Sequence, residues 1–286
     1  MPDYFEYGED FMKYSNPMFR LVYVVEGCGI MKLNGQTVIF SAPALFCFNE
    51  LDEVERQQSI NIETQVVYFN PIIINNALQL DVIRKDSSEL SHTEYQDYFL
   101  LNPFIDREEF GTHYIEIGPI TSKRISRLFE GIKEELTYME NDFWPCRSRS
   151  YLLETLFLIQ SMTTDSRNKE SVSLPESSED ISNIILYLYT NYDKKVTIEE
   201  LTDIFHINRT TLSKKFRKST GLSIIEYLVK YRIKLASVML RETKLPISEI
   251  LNRVGFNDSV HFLRTFKKHM GYTPSAYREK YILVKS

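Results

Sequence analysis

The chain reads as an α+β protein. A β-rich half, a small barrel or sandwich followed by a helical pair, is expected to precede an all-α half. That second half holds two helix–turn–helix units joined by a long helix. Three observations predict this. Short apolar, β-branched runs separated by turn signals fill residues 19–70. The segment "VGFNDSVHFLRTFKKHMGYTP" near the C-terminus has a partner 50 residues upstream. Charge divides along the same line. Residues 181–286 hold 19 Lys and Arg against 9 Asp and Glu, a balance of +10, and residues 1–180 hold 15 against 30, a balance of −15.

A length of 286 residues suggests two domains. The stretch "SMTTDSRNKESVSLPESSED", 161–180, has few large apolar residues and marks the join. The expected partition is a domain at 1–165, a linker at 166–180 and a domain at 181–286. No apolar run approaches the ~18–20 residues of a membrane span, so no membrane partner is expected. The acidic start "MPDYFEYGED" lacks a signal-peptide pattern. Three cysteines, Cys28, Cys47 and Cys146, form no CxxC pair and fit the reducing cytoplasm. The charge split suggests that one half meets a polyanion. Its alternative is that an acidic and a basic lobe attract each other.

In the β-rich half, "FRLVYVVEG" and "GIMKL" read as strands, and "LNGQ" carries an Asn-Gly hairpin turn before "TVIF". "ALFCF" and "IETQVVYF" add further strands. Helical stripes follow at Ile125, Leu128, Phe129, Ile132 and Leu136, and at Leu152, Leu156, Ile159 and Met162. Tyr23, Phe46, Phe48, Val66 and Tyr68 either line a ligand pocket or form plain core, since period-two aromatics serve both. Glu26, after a strand, either meets a polar ligand or is a solvated turn carboxylate. His92 and His113 lie far apart and no His-x-His occurs, so neither a metal site nor another cofactor is expected. No phosphate-binding glycine loop and no Ser/His/Asp spacing points to catalysis.

The repeat aligns Phe216-Arg217-Lys218 and Gly221 with Phe266-Lys267-Lys268 and Gly271. It also pairs Leu212 with Phe262, Lys214 with Arg264, Leu201 with Leu251 and Glu199 with Glu249. Thr197 and Glu200 form a capping box that opens a helix through about Phe205. After the turn "HIN", a second helix is expected over 209–220, stopped by Gly221. In the second copy a helix follows Pro246, the turn is "GFND", and the next helix is expected over 259–270, stopped by Gly271. Leu212 and Phe216 face inward in the first copy. Phe262, Leu263, Phe266 and Met270 are expected inward in the second. Thr210, Ser213, Lys214 and Arg217 form an outward stripe in the first copy, and His261, Arg264 and Lys268 one in the second. Small polar residues at a helix start, with cations beyond, suit the major groove of double-stranded DNA. Between the copies, Ser223 and Glu226 open another helix whose apolar face runs through Ile224, Ile225, Leu228, Leu235, Ala236, Met239 and Leu240. At ~19 residues it would be ~28 Å long.

These residues resemble the AraC/XylS family of bacterial transcription regulators over about 181–280. Tyr227, Arg232, Ala236 and Leu240, with "EILNRVGF", "HFLRTFKKHMG" and "YTPSAYR", carry the resemblance. Leu251 stands where the family often has Ala, and Thr202 is its counterpart, which implies adjusted packing beside the turns. The resemblance implies base contacts at Thr210, Ser213 and Lys214, and at Ser259, Val260, His261 and Arg264. Arg217, Lys267 and Lys268 are its phosphate candidates. Upstream, "YVVEGCG…LNG…VVYFNP" is loosely similar to the cupin-like sensor domain of the arabinose-type regulators. That implies a β-barrel able to hold a small effector, a homodimer built on the helical pair, and RNA polymerase as a further partner. The alternatives are control by a protein partner with no small effector, or a cupin-type enzyme fused to a DNA-binding tail.

Overall fold

The computed structural model describes residues 5–11, 17–85, 90–106, 114–164, 173–174 and 179–282. Seven strands form one antiparallel sheet: β1 Phe5–Gly8, β2 Phe19–Leu33, β3 Gln36–Ser41, β4 Ala44–Phe48, β5 Val54–Phe69, β6 Tyr114–Glu116 and β7 Ser173–Leu174. Three short helices, α1 Leu80–Lys85, α2 His92–Phe99 and α3 Asn102–Ile105, follow the sheet's long strands. The helical pair is α4 Pro119–Tyr138 and α5 Trp144–Thr164. The C-terminal helices are α6 Glu179–Thr190, α7 Ile198–Phe205, α8 Arg209–Thr220, α9 Ile224–Glu242, α10 Ile247–Arg253, α11 Ser259–Met270 and α12 Pro274–Tyr281. Most of the expected linker lies outside the described residues. Ser173 and Leu174 within it pair with Val38 and Thr37.

Strands β2 and β5 pair along nearly their whole length, and β2 changes its other neighbour midway. Arg20–Val24 pair with β4 and Cys28–Leu33 with β3. The two expected strands "FRLVYVVEG" and "GIMKL" are therefore one strand with a bend. Gly27 makes the bend, at φ 87°, opposite Asn61 at φ 46°. A Cβ on Gly27 would collide with the carbonyl oxygens of Ile60 and Asn61. The hairpin turn sits at Asn34 and Gly35, both at positive φ, as the Asn-Gly signal predicts. No described pairing joins the sheet edges into a closed barrel.

The bend lets the two halves of the sheet fold onto each other. Val22, Val24, Phe46, Val66 and Tyr68 of one half pack with Met31, Leu33, Val38 and Phe40 of the other. Period-two alternation sends the next residues outward. Tyr23, Leu45, Cys47 and Val67 meet Ile125, Phe129, Leu152 and Leu156 of α4 and α5. On the far half, Cys28, Ile30 and Ile39 meet Ile181, Ile184, Ile185 and Leu188 of α6. The sheet is thus covered by different helices on its two outer faces. The polar first part of β5 has no buried residue until Thr64, which is why the apolar pattern locates only the end of that strand.

Gly27→Ala is expected to cost at least ~2 kcal/mol, because it adds strain at positive φ to a backbone clash. Urea unfolding would measure it, with an unchanged transition midpoint counting against the bend as a constraint.

Candidate nucleic-acid interface

Each recognition helix is fixed by its own ends. Asn208 caps α8 by accepting a hydrogen bond from Thr211 N at 2.9 Å. Arg217 and Lys218 occupy the last turn, where the helix dipole favours cations. Gly221 closes the helix at φ 73°. Asp258 caps α11, accepting from Val260 N at 2.8 Å and His261 N at 3.1 Å. Those backbone donors, and then His261 and Arg264 nearby, hold its carboxyl below the usual aspartate range. Gly271 ends α11 at φ 77°. The two preceding capping boxes, Thr197–Glu200 and Ser223–Glu226, are both formed.

The inward faces bury Leu212 and Phe216 in the first unit and Phe262 and Phe266 in the second. Leu201 and Leu251 are both buried at the same place in their units, so Leu201 rather than Thr202 is the counterpart of Leu251. Thr202 satisfies its hydroxyl by donating to Glu199 O at 2.6 Å. Helix α9 divides between the units. Ile224, Tyr227 and Leu228 join the first cluster, and Ile233, Ala236 and Leu240 the second. Two expectations are corrected here. Leu263 is 42% exposed and Ile225 43% exposed. Each sits at the margin of its helix's apolar stripe, where the 100° step carries it past the contact face.

All ten proposed DNA-contact residues are exposed. Thr210, Ser213, Lys214 and Arg217 project from α8, and Ser259, Val260, His261, Arg264, Lys267 and Lys268 from α11. Val260 is 71% exposed, an uncovered apolar side chain on the first turn of α11. The His261 ring lies 5.6 Å from that of Phe256, so the turn sets its orientation.

The sequence signalled Arg232 as a motif position, and the structure gives it a task. From the middle of α9, its Nε donates to Tyr192 O and an Nη to Lys194 O, both at 2.6 Å. Its guanidinium also lies 5.9 Å from the Phe256 ring centroid. Burial lowers its pKa and Asp193 opposes that effect. One side chain therefore ties the loop before the first unit to the turn of the second. Gly255, at φ 79°, lets that turn approach the carbonyl oxygens of Tyr192 and Asp193.

The pocket candidates do not form one group. Phe46, Phe48, Val66 and Tyr68 lie between the sheet halves, each at most 3% exposed. Phe46 stacks on Phe48 at 5.4 Å and meets Phe40 edge-on at 5.2 Å. Tyr68 OH donates to Asp10 O. Tyr23 points to the opposite face, where its hydroxyl meets Ser122 Oγ at 2.8 Å. Glu26 is exposed at the bend, opposite Glu63. His113 lies outside the described residues. Among the described residues no three His, Cys, Asp or Glu are grouped to hold a metal ion, and no helix is long and apolar enough to cross a membrane.

A family model described as "Helix-turn-helix domain" matches residues 201–280. The chain is 38% identical over 93 residues to the Msm operon regulatory protein of Streptococcus mutans, covering 32% of this chain and 34% of that one. It is 36% identical over 111 residues to the lactose operon transcription activator of Staphylococcus xylosus, covering 39% of this chain and 40% of that one. A longer match reaches the HTH-type transcriptional activator RhaS of Enterobacter sp., at 22% identity over 94% of this chain and 88% of the relative. Residues 201–280 thus form a helix–turn–helix domain of the AraC type. The chain spans only a third to two fifths of the length of the first two relatives. All three relatives are named as regulators, and none of the names supports the fused-enzyme alternative.

For this AraC-type domain, Arg232→Ala is expected to lower stability by ~1–3 kcal/mol, because two carbonyls lose a charged donor. Urea titration would record a lower midpoint at unchanged slope. A midpoint equal to that of the parent chain would show that the clamp carries no stability.

Proposed function

We propose that the protein is a sequence-specific, DNA-binding transcription regulator. The observation that carries this is the pair of exposed recognition helices, α8 and α11, at one 50-residue offset on the rigid α9. Thr210, Ser213 and Lys214 of α8 read bases, as do Ser259, Val260, His261 and Arg264 of α11. An exposed Val at a helix start suits a thymine methyl, and Arg suits the paired acceptors of guanine. Arg217, Lys267 and Lys268 hold phosphates. The balance of +10 over residues 181–286 supports a polyanionic partner.

The β-rich half acts as a cupin-like sensor of a cytoplasmic bacterial regulator, dimeric through α4 and α5, with RNA polymerase as its downstream partner. A small effector bound in that half is the first form of control. One relative is named for a lactose operon, so sugars are the first compounds to screen by thermal shift. The tight aromatic packing between the sheet halves favours a second form, in which a protein partner sets the state.

Arg264→Ala should cost ~1–3 kcal/mol on the cognate site and relax preference at one base position. Lys268→Ala should weaken all sequences alike and lower the salt slope by about one. Equal losses on specific and random DNA for Arg264→Ala would remove its base-reading role.

The α9 rod is ~28 Å long, against ~34 Å for one DNA turn, so both recognition helices should meet one face of a slightly bent duplex. Hydroxyl-radical footprinting should show two protected patches ~10 bp apart. Inserting about half a turn of DNA between them should abolish most specific affinity. Undiminished binding to the lengthened site would mean that one unit alone reads bases.

A further inference from the structure

The buried carboxylate of Glu242 lies at the end of α9, at 3% exposure. A buried carboxylate needs donors. Its donors come from the other half of the chain. Gly118 N and Thr121 Oγ1 donate to Oε1 at 3.0 and 2.8 Å, and Thr121 N donates to Oε2 at 3.1 Å. These groups form the N-terminus of α4, whose own cap residue, Gly118, supplies no side-chain hydrogen bond. Glu242 therefore does for α4 what a local Ser or Asp usually does, adding a full negative charge at the positive end of a 20-residue helix. The seat is shaped for it, since a Cβ on Gly118 would collide with the Glu242 carboxylate.

Other contacts align with this one. Tyr231 OH meets Ser41 Oγ at 2.8 Å, and Lys234 Nζ meets Glu116 at 2.9 Å. Helix α6 covers Cys28, Ile30 and Ile39 of the sheet. The first unit is thus seated on the sheet. The second begins at Ile247, just past Glu242, the residue that the N-terminus of α4 holds. In this arrangement a half of balance −15 lies against the half of balance +10 that would meet DNA. DNA phosphates approaching the recognition helices feel that negative charge as repulsion.

We propose that Glu242 is an interdomain latch that holds the DNA-binding half against the acidic half and so lowers its affinity for DNA. This rests on the DNA-binding reading above. Opening the latch returns both the carboxylate and the helix end to water, so closed and open forms can interconvert. A ligand or partner that shifts α4 would act on the second helix–turn–helix unit through this carboxylate.

The test uses the full chain, with Glu242→Gln in one half, Gly118→Ala in the other, and the double variant. Thermal melting first shows that each variant folds. Amide hydrogen exchange should then show lost protection at Thr121 and at Thr243 and Leu245. The probe is a duplex that the parent chain selects from a random-sequence pool. Each variant should bind it about 5-fold more tightly at ~50 mM salt, the gain fading by ~300 mM as the repulsion is screened. The double variant should bind no more tightly than either single one. Retained protection in both single variants would overturn the latch itself. Lost protection with unchanged or weaker DNA binding would overturn its inhibitory role, as would additive gains. A folded parent chain that selects no duplex would overturn the DNA-binding reading and the inhibitory role with it, whatever the exchange data show.

Discussion

Helix α9 must satisfy three neighbours at once, and the rest of the structure is arranged around that demand. Its first turns bury Ile224, Tyr227 and Leu228 against the first helix–turn–helix unit, and its last turns bury Ile233, Ala236 and Leu240 against the second. The remaining side faces the sheet and α4 through Tyr231, Lys234 and Glu242. A helix buried on so many sides has little freedom to slide or rotate, since core packing tolerates few voids. It therefore fixes how the two recognition helices sit relative to each other, and Arg232 locks the same relation from its middle.

Polar groups at this junction are buried in pairs rather than singly. Tyr189 stacks on Tyr231 at 4.2 Å and its hydroxyl reaches Tyr227 at 3.1 Å. Burial pushes the Tyr227 hydroxyl up to about 12, against the hydrogen bond to Tyr189. These phenols stay neutral across the physiological range and serve as fixed donors and acceptors. The half that would contact DNA is joined to the half proposed to sense a signal by directional bonds, from Tyr231 to Ser41, Lys234 to Glu116 and α4 to Glu242, as well as by apolar contact. Such bonds are easier to exchange for water than a large apolar interface, which suits two halves that change their relation.

Local physics explains what was legible. The bounds of α8 and α11 match those read from Gly221, Gly271 and the spacing of Leu212, Phe216, Phe262 and Phe266. Caps and periodicity act within a few residues, so a sequence carries them whole. The hairpin at Asn34-Gly35 is legible for the same reason. Edges of stripes are less so: Leu263 and Ile225 looked inward by spacing, and exposure depends on how far the neighbouring helix extends. Strand β1 and the first part of β5 escaped because their burial is partial and their pairing distant.

By itself the sequence determined the two helix–turn–helix units, their 50-residue offset and the division of charge. Each is a property of composition or of residues close in the chain. Tertiary structure alone decided the single bent β2 in place of two strands, and which face of it received Tyr23. It also decided that four aromatic and apolar candidates fill the space between the sheet halves, and that Glu242 caps a helix more than 120 residues away. Nothing local marks a glutamate as the cap of a distant helix. The carboxylate, the missing side chain at Gly118 and the open helix end become one site only when folding brings them together.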